Sequence, residues 1–267
     1  MTLNRYDRRF ATLRETGQKA FIPFTMLGWP DRDRCLESIR LMIESGASAL
    51  ELGMAFSDPI ADGPIIQRAT FETLASGFKV KDAFALIEEV RKLDAEIPIG
   101  LLVYFNTVLA KGIEGFYQQA AQAGVDGVLI ADLTPEMAPQ VAETALKHGI
   151  APIFIISPLT SPDRLKIITQ HAGGFLYVVS RLGITGTEQR FDHALHNLLT
   201  TARQHTPIPL CVGFGISTPE HARRMLEFGA DGVITGSKII QLIQEANGQP
   251  LDAVLRPFLT EMWSAVA

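Results

Sequence analysis

The chain has 267 residues, with 24 Lys and Arg against 29 Asp and Glu, for a formal net charge of −5. Hydrophobic residues make up 47% and charged residues 20%, which excludes a disordered tail, a collagen-like repeat and a disulfide-knotted miniprotein. The mildly acidic balance gives no general attraction to nucleic acid or anionic lipid, yet leaves room for a local phosphate site built from backbone amides.

In chain order, residues 1–19 are too charged for a signal peptide. Tyr6, Phe10 and Leu13, at i, i+4 and i+7, predict one amphipathic helix there. A recurring phrase then organises the sequence. Its copies are Ser45-Gly46-Ala47-Ser48-Ala49-Leu50-Glu51-Leu52-Gly53, Ala123-Gly124-Val125-Asp126-Gly127-Val128-Leu129-Ile130-Ala131-Asp132 and Phe228-Gly229-Ala230-Asp231-Gly232-Val233-Ile234-Thr235-Gly236-Ser237. In each, a helix-period segment stops at a glycine that can take the left-handed cap conformation, and an apolar run follows. Further apolar runs at 20–27, 97–105, 151–156, 175–180 and 208–214 bring the strand candidates to eight. Helical stretches at 34–43, 81–93, 112–123, 136–147, 162–170, 192–204 and 219–228 alternate with them. This alternation predicts an α/β fold: a single-domain (β/α)8 TIM barrel over 1–267 with an extra N-terminal helix. No apolar run approaches the roughly 18 residues of a membrane span. Cys35 and Cys211 show no CxxC spacing and read as reduced, packed residues, so the expected location is the cytoplasm.

In such a barrel, chemistry sits where the strands end. The second strand carries Glu51 and is followed by Phe56-Ser57-Asp58-Pro59-Ile60-Ala61-Asp62-Gly63-Pro64. The third ends near Tyr104 and Asn106, and the fourth at Asp132. The last three end in Ser180 with Gly183-Ile184-Thr185-Gly186, in Gly213-Phe214-Gly215, and in Gly236-Ser237. Any one of these glycine-rich pieces reads equally as a tight turn. Three at consecutive strand ends read as a phosphate cradle, with a helix N-terminus after Gly236-Ser237 adding its dipole. Glu51, inside an apolar run, should be pushed toward a neutral-range pKa and suit proton transfer; the other reading is a structural carboxylate bonded to backbone or arginine. Asp62 could hold a ligand N–H or cap a turn. Tyr104 could be a ring-stacking or hydrogen-bonding wall, or simply pack the core.

The lysines, at 19, 79, 81, 92, 111, 147, 166 and 238, fall in helices or loops, which argues against a Schiff-base aldolase. Lys238 comes nearest to a strand end and reads as a helix residue. All six histidines fall in helical or loop stretches. The expectation is acid/base chemistry without a metal.

The motif Leu50-Glu51-Leu52-Gly53 with Phe56–Pro64 resembles the signature of the tryptophan synthase alpha subunit family. Phe21-Ile22-Pro23-Phe24, Ser180-Arg181-Leu182-Gly183-Ile184-Thr185-Gly186, Gly213-Phe214-Gly215-Ile216-Ser217 and Gly236-Ser237 match it in order and spacing. The resemblance implies a (β/α)8 barrel that cleaves indole-3-glycerol phosphate to indole and glyceraldehyde 3-phosphate. It makes Glu51 the general acid/base and Asp62 the acceptor of the indole N–H. Phe24, Leu102 and Tyr104 match positions around the indole, and Gly186, Gly215, Gly236 and Ser237 match the phosphate cradle. Tyr177 and Thr185 match positions near the catalytic face, and the loops at 56–66 and 181–191 would close over substrate.

The resemblance also implies a beta subunit, docked on the loops after the second and third strands in an α2β2 complex. That partner would carry pyridoxal phosphate; this chain would hold no cofactor. Trp29, Ala55, Thr107, Thr134 and Lys238 depart from the usual pattern, which has proline at 55, 107 and 134 and a small residue at 238. Two other readings are a phosphate-binding barrel acting on a related sugar phosphate and a non-catalytic activator of a partner. The Asp58–Asp62 loop beside Glu51 argues against the first, and retention of both carboxylates against the second.

Overall fold

The structure, a computed structural model, describes residues 4–179, 188–213 and 215–267, with the backbone alone over 188–191. The elements run α1 (Arg5–Thr16), β1 (Ala20–Met26), α2 (Arg32–Glu44), β2 (Leu50–Gly53), α3 (Pro64–Ala75), α4 (Val80–Leu93), β3 (Ile99–Val103), α5 (Phe105–Leu109), α6 (Ile113–Ala123) and β4 (Gly127–Ile130). They continue α7 (Ala138–Lys147), β5 (Ala151–Ile156), α8 (Pro162–His171), β6 (Leu176–Val179), α9 (Glu188–His205), β7 (Leu210–Gly213), α10 (Pro219–Glu227), β8 (Gly232–Thr235), α11 (Ser237–Glu245) and α12 (Leu251–Ser264).

Every strand pairs in parallel with the next in sequence, and β8 returns to β1, closing the predicted eight-stranded barrel. Strand residues are buried on both faces, by helices outside and by one another inside, so the strands read as continuous apolar runs. Alternate residues point inward: Ile22, Leu129, Ile153, Tyr177, Cys211 and Ile234 share one interior cluster. Phe21, Leu52, Leu101 and Val212 pack with the helices instead.

Helix α1 plugs the N-terminal mouth of the barrel. Tyr6 and Phe10 pack on Phe175, with ring centroids 5.6 and 6.4 Å apart. Gly100 and Gly127 make room for Tyr6, because a Cβ at Gly100 would lie 2.5 Å from its hydroxyl and one at Gly127 2.9 Å from its ring. Asn4 caps α1 by accepting from the Tyr6 N–H, and its amide donates to the Asp126 and Gly149 carbonyls, all at 2.9 Å. The buried Asp126 carboxylate accepts from Arg5 at 2.9 Å, Arg91 at 2.7 Å and the Ile99 N–H at 2.9 Å. Those partners offset the cost of taking its charge out of water.

The sequence reading missed α3, α5 and α12. In α3, Phe71 is exposed while Thr70 and Thr73 are buried, so there is no clean apolar stripe to read. Helix α5 is only five residues long, and α12 runs through Pro257. The third strand is shorter than expected, because Phe105 already opens α5.

Candidate active site

The C-terminal ends of the strands surround a cavity of about 640 Å³. Its floor is Glu51, Leu129, Tyr177 and Ile234, one inward residue from each of four strands. Two residues farther along their strands, Ala131, Val179 and Gly236 form the next ring with Phe24, Leu102 and Ile155.

Glu51 sits in the middle of β2, 4% exposed, opposite Phe24 on β1 and Gly100 on β3. Among the described residues its carboxyl has no hydrogen-bonding or ion-pairing partner, so the structural-carboxylate reading finds nothing to support it. Burial, with the Asp62 charge adding to it, raises its pKa to about 8. The group therefore carries a proton at neutral pH that it can give to a bound molecule and later recover.

Asp62 faces the same cavity from the β2–α3 loop. The loop is folded on itself: the Ile60 N–H donates to the Asp58 carbonyl at 2.8 Å, and the Asp62 N–H to that of Pro59 at 3.1 Å. Gln67 on α3 ties it down by donating to the Asp62 carbonyl at 2.8 Å. Partial burial raises the Asp62 pKa to about 6, and a hydrogen bond from the Tyr104 hydroxyl restrains the rise. Asp62 is thus ionised at neutral pH while Glu51 keeps its proton, a division of roles set by environment.

Tyr104 is placed differently from Phe24 and Leu102. It is not part of the cavity wall. Its ring stacks on Phe56 at 5.1 Å, and its hydroxyl accepts from the Ala61 N–H at 3.0 Å while donating to Asp62. Tyr104 is a latch behind the loop, itself 1% exposed. Phe24 and Leu102 do line the cavity, as does Tyr177. The Phe24 ring lies between β2 and β8: a Cβ at Gly53 would come within 2.8 Å of it and one at Gly236 within 3.0 Å. Tyr177 occupies the space a side chain at Gly213 would need, and burial raises its pKa, with Glu51 and Asp62 adding to the effect.

Gly215, Ile216, Ser217, Gly236 and Ser237 also line the cavity. Gly215 has φ +81°, a conformation that favours glycine. Gly236 caps α11 and its carbonyl takes the Ile239 and Ile240 amides, so the amides of Ser237 and Lys238 are the ones the helix itself leaves over. They are available to an anion, with the helix dipole behind them. Thr185 and Gly186, together with most of the 181–191 loop, lie outside the described residues. Gln67 was not expected at the site; Lys238 is a helix residue of α11, as read, and also lines the cavity. Among the described residues no three His, Cys, Asp or Glu side chains cluster as a metal site would require.

Comparison with known proteins agrees with this geometry. The family profile described as tryptophan synthase alpha chain matches residues 10–261. The chain is 43% identical over 265 residues to the tryptophan synthase alpha chain of Serratia proteamaculans, covering 98% of this chain and 99% of that one. It is 44% identical over 251 residues to the corresponding chain of Methanoregula boonei, covering 93% and 94%. Among solved structures, tryptophan synthase subunit alpha from Legionella pneumophila superposes with a TM-score of 0.91 at 36% identity, covering 99% of both chains. A chain of the aminoacrylate-bound tryptophan synthase from M. tuberculosis superposes at 0.88 with 29% identity, covering 99% and 100%. The chain belongs to the tryptophan synthase alpha chain family.

Proposed function

We propose that Glu51 and Asp62 carry out, in this chain, the cleavage of indole-3-glycerol phosphate by which the alpha subunit of tryptophan synthase releases indole. The reaction is a retro-aldol cleavage. Protonated Glu51 donates to C3 of the indole ring, and the ring becomes a cation. Ionised Asp62 holds the ring N–H and stabilises that positive charge where it develops. The bond between C3 and the side chain breaks as the adjacent hydroxyl becomes the aldehyde of glyceraldehyde 3-phosphate. Glu51, now a carboxylate, helps take up the hydroxyl proton and is restored. Phe24 and Leu102 flank the ring, and the amides near Gly215, Gly236 and Ser237 take the phosphate.

The observation that carries this reading is a buried, unpaired Glu51, proton-bearing up to about pH 8, in the same cavity as Asp62 and the α11 N-terminus. The test is incubation of the purified protein with indole-3-glycerol phosphate, with and without a beta subunit. Stoichiometric indole and glyceraldehyde 3-phosphate are expected; a stable substrate under both conditions overturns it.

A partner subunit fits the same face. Ile60, Leu109, Met137 and Leu159, exposed apolar residues in or beside the loops that follow β2 to β5, lie around the C-terminal mouth. On this reading a beta subunit covers them in an α2β2 complex and carries pyridoxal phosphate, while this chain holds no cofactor. No helix among the described residues is long and apolar enough to cross a membrane. The two free, buried cysteines suit the cytoplasm.

A further inference from the structure

Lys238 is the only cationic side chain lining the cavity among the described residues. It has no hydrogen-bond or ion-pair partner among them. It also stands in an electrostatically awkward place. It occupies the second position of α11, where the positive end of the helix dipole favours acidic side chains, and the first turn of α11 holds no acid. Helix α2 opens on a cation too, but there Arg32 is paired with Asp33 and Glu89. A lysine against the dipole, unpaired and beside the leftover amides of Ser237 and Lys238, is a local conflict that an anion between them would resolve. The same cavity carries the two carboxylates, Glu51 and Asp62, with Asp62 ionised near neutral pH. A dianionic substrate tail entering this space meets that negative charge and, without Lys238, only amide dipoles to offset it.

We propose that Lys238 is a specificity-determining residue that pairs with the substrate's phosphate dianion, adding a full charge to a cradle otherwise made of backbone amides. The proposal rests on the function proposed above. It predicts that substrate capture depends on ionic strength through this side chain, because the half-exposed ammonium attracts the phosphate through partly screened solvent.

The test compares wild type, Lys238→Met and Lys238→Arg. Methionine keeps the stem and removes the charge. KM for indole-3-glycerol phosphate and the Kd of glycerol 3-phosphate are measured at low and high salt. In the methionine variant KM and Kd rise about tenfold at low salt, the scale of one charge-assisted contact, while kcat moves less than twofold. The salt dependence flattens, and arginine restores both. Unchanged KM and Kd in the methionine variant at low salt, or a loss that arginine and salt do not affect, overturns the proposal. Should the wild type release no indole, the proposed reaction fails, but the glycerol 3-phosphate arm still decides the role of Lys238.

Discussion

Glu51 and Asp126 are both carboxylic acids in the barrel, both 4% exposed, and they sit toward opposite mouths. Asp126, at the N-terminal mouth, is surrounded by Arg5, Arg91 and the Ile99 amide. Glu51, toward the C-terminal mouth, has none of these. Depth alone does not tell a structural acid from a chemical one; the supply of partners does. The plugged end of the barrel spends its polar groups on holding α1 in place, and the open end leaves its acid without a partner.

The largest effect should separate the two acids. Glu51→Gln is expected to slow single-turnover indole release by about 10²–10⁴-fold, the range of a lost general acid/base, with glycerol 3-phosphate binding retained. Release at the wild-type rate removes Glu51 from the chemistry. The same variant should gain stability. A carboxyl whose folded pKa is about 8 against 4.5 favours the fold fully below pH 4.5 and loses that contribution as pH rises through 8. The advantage of the glutamine variant in urea unfolding should therefore grow between those values, and a constant difference contradicts the unpaired burial of Glu51. Asp126→Asn should do the opposite. It removes the carboxylate between Arg5 and Arg91, which keep their bonds to backbone carbonyls, and should cost about 1–3 kcal/mol in urea unfolding, with kcat per folded molecule unchanged.

A smaller effect sharpens the picture at the open end. Asp62→Asn should raise the barrier of the chemical step by about 2–4 kcal/mol, the scale of one electrostatic contact made in the transition state; an unaltered single-turnover rate excludes that role. With Asp62 ionised above about 6 and Glu51 protonated below about 8, the single-turnover rate should be bell-shaped between those values, its limbs belonging to the coupled pair. Tyr104→Phe has the smallest effect. It removes the hydroxyl that restrains the Asp62 pKa, so the acidic limb should move to higher pH, with about 1 kcal/mol lost from the loop latch. A limb that stays in place shows that the hydroxyl does not reach Asp62 in solution.

The strands were legible because a parallel strand buried on both faces leaves an unbroken apolar run, and because glycine marks where a helix hands over to it, as at Gly46, Gly124 and Gly229. Glu51 was legible because a carboxylate inside such a run has few reasons to be there. The identity of the site came from the spacing of Glu51 to Asp62, carried by the family resemblance. Which of its readings Tyr104 would follow was not legible, because its contacts with Phe56 and Ala61 depend on how the β2–α3 loop folds, which no local pattern encodes. Lys238 was passed over because it lies within a helix, and only the direction of α11 turns it toward the cavity. Gly53 and Gly236 read as strand ends, whereas their want of a side chain makes space for a ring from β1.

That arrangement of Phe24 between two glycines has an evolutionary consequence. Phe24 lies in β1, Gly53 closes β2 and Gly236 follows β8 as the cap of α11, yet none can drift alone. A methyl group acquired at 236 would press the ring toward the substrate chamber, and a smaller residue at 24 would leave a hollow beneath the indole. Lineages that alter this aromatic platform should therefore change all three sites in concert, or pass through an intermediate that has lost activity.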